Sequence, residues 1–458
     1  MTRQLRVAVV GAGPAGIYAA DILTKSELPE GFETVSVDLI EADPTPFGLI
    51  RYGVAPDHPR IKEIIKALHR VMSNEQIRFF GNVSFGSDLK LDQLHQFYDA
   101  VVFATGARHD RGLDLPGIDL EGSFGAADFV SWYDGHPEAP REWPFDPSVE
   151  SVAVLGVGNV GLDVARILAK TADELLTTEI PDNVYRGLKQ NHAKDVHVFA
   201  RRGPAQVKFS PMELRELNHS PNIDVIVHPE GFEFDEGSEK ALAEHKAQKL
   251  VVNVLLKYLD DHLEENLKDA PHRIHIHFCH NPVEILGLDG KVVGLKTEVT
   301  ELDGTGNVRG TGEYVEWPVG AVYRAVGYYS DALPDIPFDA KAGVIPNDGG
   351  RVLTVDAAPL PGAYVTGWIK RGPVGLIGHT KSDAQQTITM LLEDAPSLPA
   401  PEHPEPEAVD RYLTERGLEY TTWDGWLKLD HHERHLGGAA RERVKLVPRE
   451  DMVRVSRA

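Results

Sequence analysis

Two stretches decide how this chain folds: RVAVVGAGPAGIYAA at Arg6–Ala20 and VAVLGVGNVGLDVA at Val152–Ala165. Each is a short β-branched run, then a GxGxxG turn, then apolar residues at helical spacing. The glycines are Gly11, Gly13 and Gly16 in the first copy, and Gly156, Gly158 and Gly161 in the second. In such a turn the first glycine lets the chain leave the strand sharply. The second lets a pyrophosphate approach the backbone, and the third lets the helix pack close to the sheet. The phosphates then meet a helix N-terminus, where unpaired N–H groups and the helix dipole favour negative charge. One GxGxxG is a weak signal. Two, each in strand–turn–helix order, predict two dinucleotide-binding units.

Working outward, DAVVFATGA at Asp99–Ala107 reads as a buried strand ending in a tight turn, and AVYRAVGY at Ala321–Tyr328 repeats that pattern. Lys170–Lys194 reads as a long polar helical stretch and Glu230–Leu267 as charged and partly helical. Arg273–His280 and Val292–Glu301 alternate like strands. Ser397–Glu407, rich in Pro and Glu, reads as a surface crossing before a tail with Trp423 and Trp426.

The end of the second strand of each unit meets the adenosine ribose. The first unit offers VSVDLIEAD, with Glu41 thirty residues after Gly11 and an inserted loop at Lys25–Glu33 to explain the distance. A carboxylate there suits a free ribose, as in FAD or NAD. The second unit offers VHVFARRG, with Arg201 and Arg202 in the same place. Two guanidiniums fork onto a 2′-phosphate, so the second unit reads as an NADP(H) site.

The 458 residues are 42% hydrophobic and 26% charged, an ordinary globular composition with room for two or three cores. The net charge of −23 argues against a nucleic-acid backbone or an anionic membrane as partner. The one cysteine, Cys279, makes no disulfide, CxxC pair, Cys₄ cluster or Cys-based zinc site within the chain. An internal dithiol is therefore absent, and electrons taken up by a flavin must leave to something bound from outside. MTRQLRVAVVGAG enters a strand at once, and no apolar run is long enough to span a bilayer, so a cytoplasmic location is expected.

Three strings add a closer likeness: PFGLIRYGVAPDHP at Pro46–Pro59, RRGPAQV at Arg201–Val207 and GWIKRGPVGLIG at Gly367–Gly378. With the two fingerprints, they resemble the NADPH–ferredoxin reductases of the adrenodoxin-reductase type, in the short bacterial form without a fused ferredoxin domain. The resemblance implies an α/β fold of two Rossmann-like dinucleotide-binding domains, the NADP domain inserted in the FAD domain. Expected boundaries are 1–108 and 328–458 for the two parts of the FAD domain and 109–327 for the NADP domain. It implies hydride transfer from NADPH to FAD, then single electrons to a small iron–sulfur ferredoxin. By position, Gly11, Gly13, Ala15, Gly16, Glu41, Leu49 and Phe85 would contact FAD, and Trp368, Gly375, Leu376 and Ile377 would close over the flavin. Val157, Gly158, Asn159, Val160, Arg201, Arg202 and Glu213 would contact NADP.

Some residues carry a reading of their own. His58, held between Pro56 and Pro59, is placed to carry a proton near the flavin, and Glu216, three residues after Glu213, is a candidate partner for it. GPVGLIG brings backbone close to a flat ring and sets a helix N-terminus, from His379 onward, near its polar edge. HRIHIHFCH puts His275, His277 and Cys279 on one strand face; a plain strand is the favoured reading, and no residue is assigned as a metal ligand. Arg186–Arg215 holds seven basic residues against two acidic ones, a local excess of five in an acidic chain. Arg201 and Arg202 are committed to the 2′-phosphate. Lys189, Lys194, Lys208 and Arg215, with Lys370 and Arg371, are then candidates for docking an acidic ferredoxin. Competing readings are an NADPH diaphorase or quinone reductase, a flavin-dependent monooxygenase, and a nicotinamide-binding redox-sensing flavoprotein.

Overall fold

The computed structural model describes residues 2–58, 62–375 and 377–458, with the backbone alone for 377–379. The chain forms two units. The first comprises 1–109, 134–138 and 328–458; the second comprises 110–133 and 139–327. The segment 134–138 thus sits with the first unit although the chain around it belongs to the second.

The first unit is built on a seven-stranded sheet. Its order is Asn347–Asp348, Arg351–Leu353, Pro359–Val365, Ala100–Phe103, Arg3–Val10, Phe32–Glu41 and Ile77–Gly81. The last five strands are parallel, with Val7 beside both Val37 and Ala100. The second half of Arg3–Val10, VAVV, is wholly apolar because both faces of the sheet are covered, and the buried Arg6 before it is paired with Asp38. The order places the first glycine turn at the C-terminal end of a central strand, where doubly wound sheets bind ligands.

The tail, which the sequence left as an aromatic cluster, packs on this unit. Trp426 is buried in the core, and Glu433 of helix Trp423–Gly437 grips Arg51 of the short helix Leu49–Tyr52 at 2.6 and 3.0 Å. Arg449, which opens the last helix Arg449–Arg457, donates to the carbonyl of Ala42 and to Asn82.

The second unit has a six-stranded parallel sheet, ordered Ser123–Gly125, Ala321–Arg324, Ser151–Leu155, Asp195–Phe199, His272–His277 and Ile223–Val227. A three-stranded antiparallel sheet, His280–Leu288, Lys291–Leu302 and Val308–Trp317, adjoins it. The expected long helix over Lys170–Lys194 is instead two short ones, Ala172–Leu175 and Asp182–Leu188. Pro181 supplies the break, since it has no N–H to continue a helix through it.

Candidate functional site

In the first unit the strand Arg3–Val10 runs into the glycine turn, and helix Pro14–Lys25 starts at Gly13 without a side-chain cap. Gly11 has φ +111°, and a Cβ there would lie 2.5 Å from the carbonyl oxygen of Ala104. A Cβ on Gly16 would strike the carbonyl of Gly11, so this position sets how closely the helix approaches the turn. Gly13 differs: its added Cβ would have only the Cα of Gly48 within reach, at 4.0 Å. That leaves the helix N-terminus open for a pyrophosphate.

Glu41 ends its strand and is 4% exposed. Its Oε2 accepts the N–H of Ala12 at 2.8 Å and its Oε1 the N–H of Asp43 at 3.1 Å. Arg108 reaches both carboxylates, at 3.2 Å to Glu41 and 2.9 Å to Asp43. Burial raises the pKa of Glu41 against the pull of Arg108. Burial acts the same way on Asp43, but there Arg108, His136 and Arg449 prevail and hold it well below the usual carboxylate range. Arg108 lies 67 residues from Glu41 in the chain, and no local pattern announces this contact.

The PFGL string lies against the glycine turn. The N–H of Phe47 donates to the carbonyl of Ala12 at 2.8 Å, and a Cβ on Gly48 would lie 3.1 Å from the Cα of Gly13. Phe47 is fully buried at φ +84°, a conformation that a bulky residue rarely adopts. Trp426 and Trp423 meet its ring edge-on at 5.5 and 6.4 Å. Leu49, half-buried, opens the following helix, and Phe85 packs edge-on against Phe103 at 5.1 Å. His58 is 4% exposed, in the loop after that helix.

The GWIK string forms a short helix, Trp368–Arg371, that begins on Gly367. Trp368 is half-buried, its ring 5.9 Å from that of Tyr328. Asp383 accepts the N–H of Gly367 at 2.6 Å and the hydroxyl of Thr366 at 3.0 Å, and pairs with Lys370 at 3.0 Å. Lys370 is therefore not a docking residue: it is 8% exposed and also donates to Gln386 and Thr387. Gly375 is exposed at φ +90°, Leu376 lies outside the described residues, and the following helix begins at Ile377 rather than at His379.

The second unit repeats the design. Gly156 has φ +124° and a Cβ there would strike the carbonyl of Ala325; a Cβ on Gly161 would lie 2.5 Å from the carbonyl of Gly156. Gly158 has open space around it and caps helix Asn159–Ala169. The RRGPAQV string is pinned to this turn. The N–H of Lys208 donates to the carbonyl of Val157 at 3.0 Å, and the N–H of Ser210 to Asn159 Oδ1 at 2.8 Å. Val160 follows Asn159 in the first turn of the helix.

Arg201 is exposed and Arg202 half-buried, just past the strand Asp195–Phe199. Their carbonyls are held by Thr300 Oγ1 and the N–H of Cys279, while no acid pairs with either guanidinium among the described residues. Burial and then the charge of Arg201 lower the pKa of Arg202. Glu213 is buried in helix Pro211–Glu216, its N–H on Ser210 Oγ, and Glu216 is half-buried at the end of that helix.

Among the basic candidates, Lys189 pairs with Asp173 at 2.7 Å and Lys194 with Glu150 at 2.5 Å. Lys208 and Arg215 are exposed, and Arg371 lies 3.7 Å from Asp383. Cys279 is buried at φ +58°, beyond the end of the strand His272–His277, and burial raises its pKa. It therefore does not share the face of His275 and His277 that alternation suggested.

Two units, each with a strand, a glycine turn and a helix, the second within the chain span of the first, with Glu41 ending a strand of one and Arg201 and Arg202 following a strand of the other, define a flavin- and nicotinamide-dependent oxidoreductase, and FAD and NADP(H) are the cofactors that fit. The chain belongs to the family of NADPH–ferredoxin and NADPH:adrenodoxin reductases. It is 38% identical over 465 aligned positions to NADPH-ferredoxin reductase FprA of Mycobacterium tuberculosis, covering 99% of each chain. It is 35% identical to the mitochondrial NADPH:adrenodoxin oxidoreductase of Arabidopsis thaliana, covering 99% of this chain and 95% of that one. The solved structure of Mycobacterium tuberculosis FprA in complex with NADPH matches with a TM-score of 0.90 at 37% identity, over 100% of both chains. Residues 5–212 also match the pyridine nucleotide-disulphide oxidoreductase family.

Proposed function

We propose that this chain is an NADPH-dependent ferredoxin reductase that carries electrons from NADPH through FAD to a small acidic iron–sulfur protein. The observation that carries the nucleotide choice is the pair Arg201–Arg202, two guanidiniums without an acidic partner among the described residues, just past the strand Asp195–Phe199 of the second unit. FAD, when bound, supplies the redox chemistry, taking two electrons from the nicotinamide and releasing them one at a time.

The chain's own residues bind, orient and shield. Gly11 makes the turn, its own N–H held by the carbonyl of Ile40, and Gly13, Ala15 and Gly16 would present backbone N–H groups to the FAD pyrophosphate while Glu41 would take the ribose. Glu41 is pre-set for this by the N–H of Ala12 and by Arg108, which fix its carboxylate in one orientation. Leu49, Phe85, Trp368 and Gly375 would line the cofactor. Val157–Val160, Arg201, Arg202 and Glu213 hold NADPH. His58 and Glu216 are the candidates for moving a proton; hydride transfer itself needs none. With a single, buried cysteine there is no dithiol to receive electrons, which supports an external acceptor. Lys208 and Arg215 are the strongest docking candidates, since Lys189 and Lys194 are already paired. Arg371, 3.7 Å from Asp383, is paired as Lys189 and Lys194 are.

The test is anaerobic bleaching of the flavin by NADPH and by NADH, in the wild type and in Arg201→Ala/Arg202→Ala. The proposal expects the variant's KM for NADPH to rise at least tenfold, as losing charge-assisted bonds of roughly 1.5–3 kcal/mol implies, with little change for NADH. Equal losses with both nucleotides would show that the arginines do not read the 2′-phosphate.

A further inference from the structure

We propose that the second unit carries a binding site for a divalent transition-metal ion of the Zn²⁺ type, formed by His197, His275 and His277. The site belongs to one sheet, and it does not rest on the reductase activity. His197 and His275 are register partners on adjacent parallel strands, and His277 follows two residues on, so the three side chains share one face. One ring nitrogen from each lies within 4.8 Å of the other two, and His197 Nδ1 stands 2.9 Å from His277 Nε2. An ion bound at ordinary zinc–nitrogen lengths of about 2.0–2.1 Å holds its ligand atoms about 3 Å apart. Small movements of three rings reach that geometry.

The surroundings are those of a ligand set. Asp195 Oδ1 is 3.0 Å from His275 Nε2, and Asp195 is itself held by Arg273 at 2.5 and 2.7 Å. A carboxylate on the outer nitrogen of an imidazole orients the ring and makes its other nitrogen a better donor to a metal. His228 adds a fourth imidazole, its Nε2 3.3 Å from His275 Nδ1. Burial and then the neighbouring His275 push the pKa of His197 to about 4, and burial with the neighbouring imidazoles depresses that of His277 further. His197 and His275 are half-buried, so an ion reaches them from solvent.

The rings also stack, His277 lying 4.5 Å from the ring of Trp317 and 4.9 Å from that of Phe199. Stacking explains the parallel rings, and a hydrogen bond joins His197 to His277; a bound ion would replace the proton of that bond, with a nitrogen of His275 within 4.8 Å of both. Three imidazoles and a free position suit Zn²⁺ or Cu²⁺ and are a poor match for Mg²⁺ or Ca²⁺, which take oxygen ligands.

The experiment uses untagged holoprotein, stripped by dialysis against a chelator and titrated with Zn²⁺ by calorimetry. Metal is then measured after gel filtration. One Zn²⁺ per chain is expected to stay bound. His197→Gln and His277→Gln should each weaken binding at least a hundredfold with the flavin spectrum intact, and Asp195→Asn about ten- to a hundredfold. Wild-type protein that retains no Zn²⁺, or variants that bind as wild type does, would overturn the site. If a variant fails to fold, histidine modification by diethylpyrocarbonate on the wild type decides. Zn²⁺ must then protect these three histidines selectively, and absence of protection counts against the proposal.

Discussion

Phe47 shows what a sequence motif conceals. PFGL was recognisable as a string, but not that its phenylalanine sits at φ +84° with its N–H on the glycine turn. Such a conformation persists only where its surroundings impose it, and here the imposing residues are Trp423 and Trp426, nearly four hundred positions away in the chain. Phe47→Ala is expected to cost about 3–5 kcal/mol, the usual range for a buried aromatic, and to speed flavin loss. Thermal unfolding with release of flavin fluorescence measures both. The position of Glu41, Arg201 and Arg202 at strand ends was legible because a strand followed by a charged residue is a local pattern. Arg108 was not, since nothing near it in sequence announces that it bridges Glu41 and Asp43. Asp110 offers a pH test. Burial pushes its pKa from 3.8 to about 6, so between these values the folded chain holds a proton that the unfolded chain has lost. Stability therefore falls as pH rises from about 4 to about 6 and levels off above. In Asp110→Asn that slope should shrink in urea titrations across the window.

Among elements, the short helix Trp368–Arg371 depends on one carboxylate. Asp383 binds the N–H that starts the helix and neutralises Lys370, both charges being nearly dry. Asp383→Asn leaves an ammonium buried without its counterion and is expected to destabilise by about 3–5 kcal/mol, read as a lowered Tm and weaker flavin retention. Lys370 was misread as a surface charge because GWIKRG gives no helical period long enough to show which side faces inward. The two glycine turns and the strands leading into them were legible from spacing alone. The three-stranded antiparallel sheet, the break at Pro181 and the convergence of His197 with His275 and His277 were not. Each depends on pairings between segments far apart in the chain.

At the scale of the whole molecule, two units were visible as two fingerprints, while the insertion of one in the other came only from the family resemblance and the tail's part was not visible at all. The tail's Glu433 and Arg449 reach Arg51, Ala42 and Asn82, around the same turn that Phe47 contacts. Removing residues 420–458 is expected to yield protein that no longer retains flavin, measured as absorbance per chain after gel filtration. The charge of −23 remains a property of the whole, and the basic residues between Arg186 and Arg215 are local exceptions, some already paired. Lys208→Glu with Arg215→Glu should lower kcat/KM for a ferredoxin about tenfold at low salt. The difference should narrow as salt screens both proteins.

The central claim is that electrons entering from NADPH leave to an iron–sulfur protein. The most direct measurement is cytochrome c reduction by NADPH with and without added ferredoxin, over a range of ionic strengths. The account predicts a rate that rises and saturates with ferredoxin and falls with salt. A rate equally fast without ferredoxin, and indifferent to salt, would contradict it and point to a diaphorase.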